Sequence, residues 1–422
     1  MVTFRRIFAF LGPGFVTGAS DDDPSAIATY SQTGVQFGYV QLWTALFSFP
    51  FITVIQETAA RIGMYTGKGL SGVVKEYYPK PLLYITVFLL ILANVVNLGA
   101  DLGAMAASAQ LLLALPFPLW LLIMGIVIVS LEILSTYRTY SKFLKYLAFS
   151  LMSYFFTALI VKQDWREIAF FTLVPHLSLD REFILNIAAL LGTRASPYMF
   201  FWQPSQEVEE EIEQEKFKAP GKEAPEISGE DISRMRVNTI MGMFFSNFIM
   251  FFIMITTAST LGIRGLATIE TADQAAQALK PLAGDLTFFL FAAGIIGTGL
   301  LTVPILAGSA AYALSETFGW EAGLNKTFRQ AHGFYGVIIA AVALGLLINL
   351  TSVRPFRMLY YAAVLNGIVA PLLMFIIMLV SNNKKIMGDC TNSRIPNIIG
   401  WSVTVAAAAI AGVLVASAFS VN

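Results

Sequence analysis

The stretch Gly12–Tyr39, GPGFVTGASDDDPSAIATYSQTGVQFGY, decides the fold. It begins and ends as apolar membrane sequence, and in its middle stand Asp21, Asp22 and Asp23, followed by Pro24. Charges at bilayer depth are costly and, where they occur, line a protein-enclosed path. Proline lacks a backbone donor and breaks a helix. A broken helix inside a membrane is tolerated only where it is buried or lines a cavity. Neither half, Phe4–Ser20 nor Ser25–Val40, comfortably reaches the about 20 apolar residues that cross a bilayer. The stretch is therefore expected to be one broken span with a cation site at its unwound point, rather than a loop between two short segments.

Working outward, composition excludes the soluble classes. The chain has 422 residues, 56% hydrophobic and only 13% charged, against about 25% charged in soluble proteins. Its formal net charge is zero, so nothing points to nucleic acid or an acidic partner. The single cysteine, Cys390, excludes an internal disulfide. Two histidines, His176 and His332, do not make a multi-histidine zinc site. Arg5 and Arg6 precede an apolar run as in a signal peptide, but the acidic triplet and the lack of a small-residue cleavage pattern argue against removal. The lipid bilayer is the expected surrounding, with no obligatory protein partner.

Apolar windows give about eleven spans. The first is the broken one. The others cover Val40–Ile62, Leu82–Leu113, Leu119–Ser135, Phe143–Val161, Phe183–Pro204, Val237–Leu261, Leu286–Ala313, Phe334–Leu350, Leu359–Val380 and Ile398–Phe419. With the N-terminus inside, the inner loops hold nineteen Lys and Arg and the outer loops seven, Arg194 lying within the sixth span. That bias places the N-terminus in the cytoplasm of a multi-pass cell-membrane protein. The loop Gln206–Ser233 is rich in Glu, Lys, Pro and Gly. It reads as a solvated cytoplasmic linker whose start can continue helix 6. Gln163–Glu182, with Trp165, Phe170 and Phe171 among charges, reads as an interfacial piece on the outer side.

The sixth span is interrupted too: Leu191–Gln203 is LGTRASPYMFFWQ, with Pro197 at mid-span after Gly192, Thr193, Arg194 and Ser196. Five spans precede this second break, so the second block enters the membrane in the opposite sense. The expectation is an all-α membrane protein with a LeuT-like architecture in one transporter domain, 1–422. It consists of two inverted five-helix repeats, about 4–161 and 183–380, the polar loop 206–233 and an extra helix 398–419. In such folds the broken helices meet at the midplane and hold the ligand. Half-helix C-termini and freed carbonyls carry partial negative charge suited to a cation.

At these motifs the sequence resembles the NRAMP family of divalent metal transporters. The family's usual Asp-Pro-Gly-Asn appears as Asp23-Pro24-Ser25-Ala26 after Gly12-Pro13-Gly14, and its Met-Pro-His as Ser196-Pro197-Tyr198. The resemblance implies a metal ion bound as substrate between helices 1 and 6, with no cofactor and no enzymatic activity. It places the ligating aspartate on Asp23, the helix 6 carbonyl ligand on Thr193, the asparagine ligand on Ala26 and the methionine ligand on Ser196. The histidines tied to proton movement fall on Tyr198 and Gln203. The helix 3 acidic pair falls on Asp101 and Ala104. A thioether favours transition metals, and Mg²⁺ prefers oxygen ligands and keeps waters. Loss of the Met, His and Glu together therefore resembles the NRAMP-related magnesium transporter branch, which carries Mg²⁺ and Mn²⁺ without obligatory proton coupling. The alternatives are a proton-coupled Mn²⁺/Fe²⁺ importer and a sodium-coupled carrier of a small organic solute.

Further candidates come from the residues alone. The Ser20 hydroxyl either joins the ion's shell or caps a helix. Asp21 and Asp22 either bind a hydrated ion or pair with Arg194, since a buried charge seeks a partner. Arg194 opposes a divalent ion unless neutralised; it either mimics a cation or forms a structural ion pair. Asp101 with Asn94 and Asn97 forms a polar stripe at helical spacing that lines the path or partners Arg194. Asn366, before Pro371, is a pathway candidate, and Gln203 a partner for a hydrated ion. Gln56 and Glu57 read as an inner-gate or interface pair. Glu132 is expected to reach the cytoplasmic surface by snorkelling.

Overall fold

The computed structural model describes residues 12–134, 149–213, 227–265, 268–351 and 353–419. Among the described residues every regular element is helical. The first span is α1 (Pro13–Ser20) and α2 (Pro24–Phe37). After it come α3 (Trp43–Thr66), α4 (Lys80–Gln110), α5 (Phe117–Leu134) and α6 (Met152–Ile160). The second broken span is α7 (Arg181–Arg194) and α8 (Pro197–Glu213). Then follow α9 (Gly229–Thr260), α10 (Thr287–Phe318), α11 (His332–Ile348), α12 (Pro355–Ser381) and α13 (Arg394–Phe419).

Both breaks use one device. At the first, Asp23 is extended (φ −68°, ψ 170°), and its side chain accepts from the Ala26 N–H. At the second, Ala195 leaves the helical region (φ −114°, ψ 46°). Each second half-helix starts with a proline, Pro24 or Pro197, at a position whose N–H would have no intrahelical acceptor anyway. The breaks therefore cost few hydrogen bonds while freeing carbonyls at mid-span.

Among the described residues six stretches are long and apolar enough to cross a bilayer: α4, α5, α9, Ala272–Phe318 with α10, α12 and α13 up to Ala416. The helix α11 is apolar but shorter. Of the other expected spans, the broken halves fall short by length, and the polar Gln56 and Glu57 dilute α3. Residues 143–148 of the fifth lie outside the described residues. Apolar side chains face outward as well as filling the core, while the charged groups of the two breaks are enclosed. Phe88, Ile126, Phe244 and Val405 are each more than half exposed, whereas Asp21, Asp22, Asp23, Asp101 and Arg194 are at most 1% exposed. That inversion is the signature of a helical bundle solvated by lipid.

One expectation is refined and one corrected. The start of the loop 206–233 continues helix 6, as expected, but is buried rather than solvated. The helix α8 runs on to Glu213, burying Glu207, Val208 and Glu211, and α9 starts at Gly229 on a Ser228/Asp231 capping box; residues 214–226 lie outside the described ones. Glu132 does not snorkel to the surface: it is 2% exposed. It shares the buried stripe of α5 with Leu121, Met124, Gly125 and Ile128, so helical spacing turns its carboxylate inward. The helix Trp165–Leu173, expected as an interfacial piece, exposes Trp165, Phe170 and Leu173.

The broken spans are clamped by glycine contacts. The halves α1 and α2 lie on α9, α8 lies on α3, and α7 lies on α12. A Cβ on Gly18 would sit 2.2 Å from the Gly242 carbonyl carbon, and one on Gly192 would sit 2.0 Å from the Ala363 carbonyl oxygen. Small residues let membrane helices approach this closely. Since backbone cannot yield as a side chain does, Gly18→Ala is expected to push α1 off α9. The cost should be at least the about 1–3 kcal/mol of ordinary overpacking, read as a lowered unfolding midpoint in detergent.

Candidate metal-binding site

The three adjacent carboxylates point two ways. Asp23 faces α4 and α12. Its Oδ1 accepts from Ala26 N at 2.6 Å and Ser25 Oγ at 2.7 Å, and its Oδ2 from Asn97 Nδ2 at 2.9 Å. The same Asn97 nitrogen donates to Asp101 Oδ2 at 3.1 Å. Asn97 Oδ1 accepts from Asn366 Nδ2 at 3.1 Å. Asp23, Asn97, Asp101 and Asn366 thus form one fully buried oxygen-rich group, held by the first break, α4 and α12.

Asp21 and Asp22 turn towards α9. Asp21 Oδ2 forms an ion pair with Arg194 Nη1. Ser246 Oγ lies 2.8 Å from Asp21 Oδ2 and 3.0 Å from Asp22 Oδ1, and accepts from Arg194 Nη1 at 2.5 Å. Arg194 is the last residue of α7, where a cation is favoured by the helix dipole. The arginine therefore partners Asp21 across the two breaks, and Asp101 partners Asn97.

The breaks also touch directly. The Ser20 carbonyl, freed at the end of α1, accepts from Tyr198 OH at 2.9 Å and Thr302 Oγ1 at 3.0 Å. The hydroxyls expected near an ion are turned into their own helices. Ser20 Oγ donates to Thr17 O at 2.7 Å, Thr193 Oγ1 to Leu190 O at 2.8 Å, and Ser196 Oγ to Thr193 O at 2.9 Å. Ala26 contributes only its N–H, to Asp23. Gln203 lies apart from the Asp23 group: its Oε1 accepts from Gln56 at 2.6 Å, and its Nε2 donates to Thr239 at 2.9 Å. Asn94 binds Leu306 O and Ser309 instead of the site. Glu57 pairs with Arg61 and Arg236.

Among the described residues no three His, Cys, Asp or Glu side chains converge to hold an ion. Any ion here would draw further ligands from amide, carbonyl, hydroxyl and water oxygens. Two residues of the site were missed in sequence. Ser246 is a single hydroxyl in the run MFFSNFIMFF, and its isolation among phenylalanines was the one available signal. Thr302 shares its helix with Thr298, whose hydroxyl satisfies nearby backbone, Gly294 O at 3.0 Å, whereas Thr302 crosses to the break.

Comparison with known proteins bears on the family and the fold. The chain is 23% identical over 418 residues to the divalent metal cation transporter MntH of Klebsiella pneumoniae, covering 96% of this chain and 94% of that one. It is 24% identical over 409 residues to MntH of Yersinia enterocolitica, covering 94% and 92%. A crystal structure of the Eremococcus coleocola manganese transporter superposes with a TM-score of 0.73 at 15% identity, covering 98% of this chain and 87% of that one. The inward-facing structure of Mhp1 gives 0.56 at 15% identity, covering 97% and 91%; at such identities both likenesses speak for the fold, which is LeuT-like. The profile of the family described as natural resistance-associated macrophage protein-like matches residues 14–417. The chain belongs to the Nramp family, a family of metal-ion transporters and not of enzymes.

Proposed function

We propose that this chain is an alternating-access carrier of divalent metal cations, Mg²⁺ and Mn²⁺, and that the ion binds on the Asp23 side of the two breaks. The observation that carries this is the buried group in which two carboxylates, Asp23 and Asp101, share the Asn97 amide. Two formal negative charges match a divalent ion, and the donors are oxygens, the preference of hard cations that keep some water. The names of the MntH relatives support a divalent cation.

Asp23 is the anchoring ligand. Ser20, Thr193 and Ser196 complete the shell when their present internal hydrogen bonds exchange for ion contacts, with Tyr198 releasing the Ser20 carbonyl. Asn97, Asp101 and Asn366 line the outer part of that shell. The two breaks at equivalent positions, with the first span on α9 and α8 on α3, support inverted repeats of about 4–161 and 183–380 followed by the helix 398–419. The Lys and Arg bias supports a cytoplasmic N-terminus in the cell membrane. Tyr198, Gln203 and Ala104 at the family's proton-route positions support uptake without obligatory proton coupling.

In proteoliposomes, Mg²⁺ and Mn²⁺ uptake should compete with each other, and internal pH should not change. Mn²⁺ or Fe²⁺ uptake that carries protons and is indifferent to excess Mg²⁺ would establish the proton-coupled alternative. Sodium-driven uptake of an organic solute without metal would establish the other.

A further inference from the structure

The second buried group, on the α9 side of the first break, is not used by the metal reading. Asp21 and Asp22 are both buried, with Ser246 between them, and the guanidinium of Arg194 pairs with Asp21 and donates to Ser246. Their outer oxygens, Asp21 Oδ1 and Asp22 Oδ2, accept no hydrogen bond among the described residues. Two carboxylates and a hydroxyl at the mouth of a broken helix form a hard-oxygen, net-negative cation pocket, and the occupant it is matched to carries a single positive charge. Here the positive charge enters that pocket on a side chain.

The charge also comes from a particular place. Arg194 ends α7, one residue before the second break begins at Ala195, and it reaches across to the first break and to α9. A free cation bound there would tie the same three elements together and could leave in each cycle. A tethered guanidinium ties them permanently.

We propose that Asp21, Asp22 and Ser246 form a monovalent-cation site permanently filled by Arg194. The side chain replaces a mobile coupling ion with a fixed one, and a monovalent-cation gradient has nothing to drive through this site. The proposal is separate from the metal reading, because its test contains no divalent ion.

The experiment measures unfolding midpoints in detergent with EDTA, exchanging sodium or guanidinium for N-methyl-D-glucamine at constant ionic strength. The unaltered chain should be indifferent to the exchange. Arg194→Ala, which vacates the site, should unfold at a lower midpoint and regain part of the loss saturably as sodium or guanidinium is added, as ligand linkage requires. Asp21→Asn combined with Arg194→Gln, which removes site and occupant together, should be indifferent again. Recovery of folded Arg194→Ala only in the presence of one of these cations also supports the proposal. It is overturned if Arg194→Ala has the same midpoint in all three media, or cannot be recovered in any of them while the double variant folds. A saturable sodium response of the unaltered chain overturns it as well.

Discussion

Asp23→Asn is expected to weaken divalent-ion binding at least about a hundredfold and to leave the chain folded. The substitution separates charge from shape. Asparagine caps helices about as well as aspartate, so the Ala26 N–H keeps its acceptor and α2 keeps its start. The change falls on the Asn97 side, where an amide nitrogen would meet the Asn97 nitrogen that now donates to Asp23 Oδ2. Asn97 retains Asp101 Oδ2 as an acceptor, which limits the structural cost to about 1–3 kcal/mol for one badly paired polar group. The electrostatic loss is larger. Unit charges 4 Å apart interact by about 4 kcal/mol at an effective dielectric of 20, so a divalent ion loses roughly twice that. Even a third of the loss is about a hundredfold in affinity. Titration calorimetry with Mn²⁺ and Mg²⁺, beside an unfolding midpoint, checks it. Undiminished binding in folded Asp23→Asn would move the ion away from this group.

What could be read in advance followed from chemistry that acts locally. Proline next to small polar residues at mid-span marked both breaks because proline acts on its own helix, whatever packs nearby. The proposed site was assigned to Asp23 for the same reason. What could not be read depends on partners distant in the chain. Asp21, Asp22 and Asp23 are adjacent and chemically identical, yet the extended backbone at Asp23 sends them to different neighbours. Gly18 and Gly192 look like any helical glycines until Gly242 and Ala363 are brought against them. Glu132 is a different case. Its spacing from Leu121, Met124 and Ile128 put it on a buried stripe, and nearness to the helix end outweighed that periodicity in the reading. The loop after helix 6 was read from composition, but Glu207 and Glu211 are carried into the bundle by the helix they continue.

The pair Asp21–Arg194 should show the strongest energetic coupling in the molecule. Both side chains are wholly buried, so neither is screened by salt, unlike the half-exposed Arg354 and Arg357 that meet Glu270; exposed pairs of that kind contribute about 0–1 kcal/mol. Removing one member of a buried pair strands the other charge and costs about 3–5 kcal/mol, whereas removing both can be nearly neutral. Arg194→Gln alone leaves Asp21 and Asp22 facing each other across Ser246 with no counter-charge. Asp21→Asn alone leaves the guanidinium with Asp22, which Ser246 already joins to the group, so this single loss should be the smaller of the two. The double variant keeps two amide side chains able to bond to each other and to Ser246, and it should recover most of both losses. The cycle therefore predicts strong non-additivity, measured as unfolding free energies in mixed micelles. Additive single losses would mean that the attraction between Asp21 and Arg194 does little to hold the two breaks together, and that the glycine contacts on α9 and α12 do that work.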